Sequence, residues 1–146
     1  MQVRSSVTNN QLGIPCRDAR SGGYLSYVMK VDPVRPMVLR CTYWGNDSNP
    51  GRLFDVMVND KIIATQKLDF NDPGHFFDVE YNIPSRLTRA LNQVTVKFQA
   101  YPGQFAGGFF GCQMLKRCRM PPPPSVFPSR SSTQTSLTGA RVLECG

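Results

Sequence analysis

The segment LFDVMVNDKIIATQK, residues 53–67, decides the fold class of this chain. Apolar side chains occupy alternate positions at Phe54, Val56 and Val58, and a second strand-like run begins at residue 61. Alternation with a period of two is typical of a half-buried strand. The dipeptide between the runs, Asn59-Asp60, tolerates positive φ and suits a tight turn. The segment therefore predicts a β-hairpin whose alternate apolar residues face a core.

The same period of two recurs along the chain, with turn-forming residues about every ten positions. It predicts seven strands at residues 23–31, 37–44, 53–58, 61–67, 75–81, 93–100 and 109–115. Residues 83–87, with Pro84 near their start, predict a short helical turn. Seven short strands without a long helical pattern favour an all-β fold, an antiparallel sandwich of the jelly-roll or galactose-binding-like type.

Composition divides the 146 residues into three parts. Residues 1–12 form an N-terminal segment, residues 13–116 the β-sandwich, and residues 117–146 a Pro/Ser-rich tail with no hydrophobic period. A segment with few apolar residues and many prolines cannot bury enough surface to fold. We therefore expect the C-terminal tail to be disordered.

The net charge of +7 comes mainly from the two ends, since residues 24–116 carry ten basic and eight acidic side chains. A nucleic-acid surface concentrates Lys and Arg on one folded face. We expect no nucleic-acid partner, although a basic protein that acts through its tail remains an alternative. No run is apolar enough for a membrane helix or a signal peptide. The chain as given is expected to be cytoplasmic and without a membrane partner.

The inventory of reactive residues argues against catalysis and against a metal cofactor. The five cysteines form no CxxC pair, so structural zinc is not predicted, and we expect buried reduced thiols. His75 is the single histidine, and no nucleophile motif lies beside it. Asp55, Asp78 and Glu80 lie on predicted strands and could approach one another, but alternate charges favour a solvated sheet face. We predict no cofactor.

Aromatic and amide side chains near strand ends suggest a sugar-binding site. An aromatic ring can stack on the apolar face of a sugar while amides and carboxylates hold its hydroxyls. The predicted binding residues are Trp44, Asn46, Asp47, Tyr101 and Phe105. The favoured alternative is structural: Trp44 would pack between the sheets. Gly107 and Gly108 indicate a close approach of two backbones at a sheet edge.

Several collinear motifs also carry a family resemblance. They are CRDARSGGYLSY at 16–27, CTYWG at 41–45, FDV at 54–56, IATQ at 63–66, FFDVEY-x-IP at 76–84, VTVKFQA at 94–100, PG at 102–103 and AGG-x-FGC at 106–112. Together they resemble the C-terminal β-sandwich accessory domain, a domain of unknown function, of family 127 glycoside hydrolases, which are β-L-arabinofuranosidase-like proteins.

The resemblance implies a non-catalytic accessory domain whose partner is the catalytic barrel of a parent or split enzyme. Hydrolysis in that family is credited to the barrel, so no catalytic residue is carried over to this chain. The chain would then be a fragment, and its parent enzyme could be secreted. The alternative is a stand-alone carbohydrate-binding module that recognises arabinose-containing glycans.

Overall fold

The computed structural model describes residues 2–11, 13–48 and 51–117, and nine strands lie within these ranges. The strands are β1 (Gln2–Gln11), β2 (Ile14–Lys30), β3 (Met37–Trp44), β4 (Arg52–Val58), β5 (Lys61–Leu68), β6 (Phe76–Ile83), β7 (Gln93–Ala100), β8 (Ala106–Phe109) and β9 (Gly111–Lys116). One 3-10 turn, Ser85–Leu87, follows Pro84 as the sequence predicts. The part of the sequence assigned to a tail, beyond residue 117, lies outside the described residues.

Two antiparallel sheets form the sandwich, which confirms the predicted fold class. The larger sheet has the order β1-β2-β7-β4-β5, and β8 adds to the first half of β2. The smaller sheet has the order β6-β3-β9. Strand β3 is therefore the centre of the smaller sheet, with β9 as one of its edges.

The hairpin β4–β5 forms as the sequence predicts. Asn59 and Asp60 have φ values of 48° and 63° and make the turn between the strands. The Asn59 carboxamide oxygen also accepts a 2.9 Å hydrogen bond from the backbone N–H of Thr95 on β7. Phe54, Val56 and Val58 are fully buried and face the core.

The predicted number of strands is wrong by two. Residues 2–11, which lie in the predicted N-terminal segment 1–12, pair along β2 as β1. The last predicted strand is two strands, β8 and β9, which Phe110 separates by donating its N–H to the carbonyl oxygen of Thr42. Strand β2 also begins at Ile14 rather than at residue 23. Charged residues interrupt the apolar alternation in its first half, so a period-two pattern could not show it.

The core lies between the sheets and is rich in aromatic rings. Its largest fully buried side chains are those of Tyr43, Phe54, Phe98, Leu25, Leu39 and Leu68. A chain of hydroxyl groups crosses the core: the Tyr43 and Tyr81 hydroxyl oxygens are 2.9 Å apart, and Tyr81 donates to Gln66 Oε1 at 2.8 Å. Since Gln66 belongs to the larger sheet, these hydrogen bonds join the two layers.

Gly107 lies where β8 approaches β2 most closely. Its φ is 105°, and a Cβ atom there would lie 2.6 Å from the carbonyl oxygen of Arg17. Both features exclude larger residues. The predicted close approach of backbones at this position is therefore confirmed.

Candidate functional site

Three loops meet at one end of the sandwich, and we call their combined surface the loop face. Their described residues are 45–48 and 51 between β3 and β4, 69–75 between β5 and β6, and 101–105 between β7 and β8. The first loop is central. It is joined to the second by Gly45 N–H to His75 O at 2.8 Å, and to the third by Phe105 N–H to Gly51 O at 2.9 Å. The loop face therefore depends on contacts with the first loop.

The exposed rim of the loop face carries amide, carboxylate and aromatic side chains. Asn46 is exposed, and its Oδ1 accepts a 2.6 Å hydrogen bond from the backbone N–H of Gly74. Asp72 is exposed beside His75, with 3.4 Å between Asp72 Oδ1 and His75 Nδ1. These groups can accept and donate hydrogen bonds to a polar ligand.

A largely buried ion cluster lies beneath this rim, and we call it the Arg52 cluster. Its members are Arg52, Asp18, Asp47 and the backbone of Gly107 and Gly108. Arg52 Nε lies 3.5 Å from Asp47 Oδ1, and Arg52 Nη1 lies 4.0 Å from Asp18 Oδ2. The Arg52 guanidinium also lies 6.0 Å from the centroid of the Phe105 ring. The Arg52 guanidinium thus lies beside two largely buried carboxylates and the Phe105 ring of the third loop.

The cluster leaves the Asp47 carboxylate in a polar but poorly solvated environment. Burial raises the pKa of Asp47, while the charge of Arg52 and a hydrogen bond from the Gly108 backbone N–H oppose that rise. Asp47 Oδ2 is buried and has no hydrogen-bond partner among the described residues. Asp47 therefore supports the loops from below, whereas Asn46 lies on the rim.

The structure does not place Trp44 between the sheets. The prediction that this ring packs between the two layers is therefore wrong. Tyr43, its neighbour, belongs to the core cluster, and Trp44 points to the opposite side of β3. There it is only 9% exposed and packs on Phe76, with 4.8 Å between the ring centroids. Phe76 in turn contacts Phe110 at 4.8 Å. Trp44 therefore supports an aromatic cluster on the outer face of the smaller sheet.

Tyr101 and Phe105 lie together on the third loop, as their proximity in sequence predicts. Tyr101 is 38% exposed, and its hydroxyl donates a 3.0 Å hydrogen bond to Asp55 Oδ1. Phe105 is half-buried against Arg52. The structure thus brings Asn46, Asp47, Tyr101 and Phe105 to the loop face, and leaves Trp44 beside it.

Sequence reasoning missed the most exposed aromatic residue of the loop face, Phe70. Its side chain is 57% exposed and its φ is 51°, an uncommon conformation for a bulky residue. The backbone N–H of Phe70 donates to the carbonyl oxygen of Asp47 at 3.3 Å, which fixes the second loop against the first. Its position between Asp69 and Asn71 indicates a turn, and nothing in the local pattern indicates that the ring is exposed to solvent.

The carboxylates considered for catalysis do not share a site. Asp78 and Glu80 lie on the outer face of the smaller sheet, where Thr42 donates to Asp78 at 2.6 Å and Arg40 donates to Glu80 at 2.7 Å. Asp55 belongs to the larger sheet and accepts from Thr65 at 2.6 Å. The alternative that all three approach one another is therefore wrong, because they occupy opposite layers of the sandwich. The favoured interpretation, a solvated sheet face, is confirmed for the exposed Asp78 and Glu80.

Within residues 2–11, 13–48 and 51–117, no group of three or more His, Cys, Asp or Glu side chains is arranged to hold a metal ion. No helix in the same part of the chain is long and apolar enough to cross a membrane.

The architecture is shared with known carbohydrate-binding modules. A family 35 carbohydrate-binding module from Clostridium thermocellum has a similar structure, with a TM-score of 0.58 at 10% sequence identity over 77% of this chain and 89% of that chain. A family 35 module from an environmental isolate gives a TM-score of 0.57 at 16% identity, over 77% of this chain and 85% of that chain. At these identities the likeness concerns the fold.

The sequence itself defines a family. The chain belongs to the family of unknown function DUF6805, whose model matches residues 2–115. No curated protein matches the chain by sequence. The matched range covers β1 to β8 and all of β9 except its last residue.

Proposed function

We propose that this domain is a non-catalytic carbohydrate-binding module that binds glycans at the loop face. The observation that carries the proposal is that two exposed rings, Phe70 and Tyr101, belong to the two loops that are hydrogen-bonded to the loop carrying Asn46. Aromatic rings stack on the apolar faces of sugar rings, and amide or carboxylate groups between them fix hydroxyl orientation. The fold shared with two family 35 carbohydrate-binding modules supports the same function.

The Arg52 cluster supports this role by holding the loops in place before a ligand arrives. Arg52 bonds the Gly107 carbonyl at 2.7 Å and lies against Asp47 of the first loop and Phe105 of the third. Loops held by buried polar contacts lose less entropy when they bind, which favours affinity. We therefore assign contact with sugar to Asn46, Phe70 and Tyr101, and support of the loops to Asp47 and Phe105.

The test is a binding titration of the full chain with soluble polysaccharides, arabinan, arabinogalactan, xylan and a β-glucan, by isothermal titration calorimetry and affinity gel electrophoresis. We expect binding to at least one of them, weakened about tenfold or more by Phe70→Ala or Tyr101→Ala, which corresponds to about 1.4 kcal/mol or more. Ile62→Ala is the matched control, because Ile62 is 59% exposed on β5, away from the loop face. Binding by none of the glycans, or equal weakening by all three variants, would contradict the proposal.

The parent enzyme of this domain and its preferred sugar are predicted from the motif resemblance alone. The motifs at residues 16–27 and 106–112 resemble the accessory domain of family 127 glycoside hydrolases, and this favours an arabinose-containing glycan and a catalytic barrel as partner. The family described above and the similar structures name neither, so both remain predictions. A preference for arabinan over xylan and β-glucan would support the first. Co-purification with a barrel expressed as a separate chain would support the second.

A binding role also predicts that the chain alone does not hydrolyse an aryl arabinofuranoside. Turnover that disappears in His75→Ala or Glu80→Gln would contradict a purely binding function. His75 is well exposed beside Asp72, and Glu80 is held by Arg40 and Arg117 on another face, so the two residues do not form a common catalytic site.

A further inference from the structure

Two thiols face each other inside the smaller sheet. Cys41 on β3 and Cys112 on β9 are direct partners in the antiparallel register, and their side chains point towards the core. The Cys112 thiol donates to Cys41 Sγ over a distance of 3.4 Å. Directly opposed residues in an antiparallel pair have Cα atoms about 4.5–5.5 Å apart, within the range of about 4.4–6.8 Å that a disulfide spans.

The two thiols differ in access to solvent. Cys41 is fully buried, whereas Cys112 is half-buried and lines an open groove of about 570 Å³ on the side of the sandwich. Arg17, Tyr27 and Phe110 line the same groove. A small molecule in the groove can therefore meet Cys112 first, with Cys41 directly behind it.

We propose that Cys41 and Cys112 form an oxidisable pair, a modification site at which a low-molecular-weight disulfide in the groove is reduced and a cross-strand disulfide joins β3 to β9. The inference goes beyond glycan binding and does not depend on it. Neither Phe70 nor Tyr101 lines the groove that Cys112 reaches.

The exchange is balanced with one molecule of small disulfide. The Cys112 thiolate attacks one sulfur of that disulfide, forms a mixed disulfide and releases the first small thiolate. The Cys41 thiolate then attacks Cys112 Sγ, which breaks the mixed disulfide and releases the second. The two protons lost by the cysteines end on the two small thiols, and the two electrons given up by the cysteines reduce the small disulfide.

The order of the two attacks follows from the environment of each sulfur. The interaction with the neighbouring Cys112 sulfur and burial both raise the pKa of Cys41, so Cys41 is held as a thiol while the pair is reduced. Thiolates, not thiols, are the attacking species. Cys112, the partner that reaches the groove, is therefore the first nucleophile, and Cys41 resolves the mixed disulfide.

Oxidation would join the edge strand β9 covalently to β3. Strand β9 pairs only with β3 among the described strands, and the new bond would close a loop between residues 71 positions apart. Cross-links that close long loops restrict the unfolded chain most, and we expect the melting temperature to rise by roughly 10 °C. The oxidised form should hold β9 against β3 under conditions that unfold the reduced form.

The test uses the full chain in buffers of reduced and oxidised glutathione, followed by alkylation of remaining thiols and peptide mapping by mass spectrometry. The expected product is one linked peptide pair containing Cys41 and Cys112, which reverts to two alkylated peptides after reduction. A persistent glutathione adduct on Cys112, a Cys16–Cys112 link, or two unmodified thiols would each overturn the proposal.

Variants separate the pair from the other cysteines. In a Cys16→Ser, Cys118→Ser, Cys145→Ser chain the linked peptide and the rise in melting temperature should persist. Adding Cys112→Ser should abolish both. If the triple variant does not fold, the peptide map of the unaltered chain still decides the result, because it requires no substitution.

Discussion

The Arg52 guanidinium donates a hydrogen bond of 2.7 Å from Nη1 to the carbonyl oxygen of Gly107. This bond joins the start of β4 to β8 across 55 positions of sequence. It also holds the guanidinium beside the Asp18 and Asp47 carboxylates. One side chain thus links the strand that follows the central loop to the strand that follows the third loop, and the geometry of the loop face depends on it.

Replacing Arg52 by Met should destabilise the domain strongly, because it removes a cation that lies beside two largely buried carboxylates. Removing one partner of a buried ion pair costs about 3–5 kcal/mol. Urea denaturation followed by fluorescence would measure the loss. Lys97→Met is the matched control, since Lys97 bonds the well-exposed Asp60 at 2.8 Å and its loss should matter much less. Equal losses in the two variants would show that the Arg52 cluster contributes no special stability.

The hydroxyl chain between the sheets predicts an order of effects for two matched substitutions. Tyr81 donates to Gln66, so the hydrogen between the two tyrosines is donated by Tyr43. Tyr43→Phe removes one donor and should cost about 1 kcal/mol. Tyr81→Phe removes the acceptor of Tyr43 and the donor to Gln66 together, and should cost roughly 2 kcal/mol or more. Equilibrium unfolding of both variants decides the order, and a larger loss for Tyr43→Phe would show the assigned direction to be wrong.

Local alternation predicted most strands, including β3 at residues 37–44, but it did not decide on which side of β3 the Trp44 ring packs. In β3 the residues Tyr43 and Trp44 are both buried, so burial preference alone could not show which one faces the other sheet. The ring contact between Trp44 and Phe76 arises from pairing of β3 with β6, which lies beyond the reach of local pattern.

The candidate site was only partly predictable for a similar reason. Asn46 and Tyr101 could be identified as loop residues with sugar-binding chemistry, because turn-forming residues surround them. The exposure of Phe70 depends on its left-handed backbone and on its bond to Asp47, which join two loops far apart in sequence. Such contacts are set by the assembled sandwich rather than by neighbouring residues.

The contributions of Asp47 and Asp60 to the unfolding free energy should change in opposite directions as pH rises. Burial raises the pKa of Asp47 above its ordinary value of 3.8, whereas the hydrogen bond from Lys97 lowers the pKa of Asp60. The contribution of Asp47 is therefore fully present below pH 3.8 and is lost as pH rises through its folded pKa. The contribution of Asp60 is present above pH 3.8 and is lost as pH falls through its folded pKa.

The measurement compares Asp47→Asn and Asp60→Asn with the unaltered chain by urea denaturation at pH 3 and pH 7. The quantity compared is the unfolding free energy of each variant minus that of the unaltered chain. For Asp47→Asn this difference should be larger at pH 7 than at pH 3. For Asp60→Asn it should be smaller at pH 7 than at pH 3. The same direction of change in both variants would contradict the assigned environments.

Gly45 predicts a steric test of the loop face. A Cβ atom at this position would overlap the Asp72 backbone carbonyl and lie 2.7 Å from the carbonyl oxygen of His75, and neither obstacle is a flexible side chain. Gly45→Ala should therefore separate the first two loops, lower the unfolding free energy by about 1–3 kcal/mol and weaken glycan binding. Gly111→Ala is the control, because its nearest neighbour would be Thr42 Oγ1 at an ordinary 3.6 Å. Hydrogen exchange at the Gly45 amide, which is bonded to His75, reports the separation directly, and protection equal to that of the unaltered chain would show that the loops accommodate the methyl group.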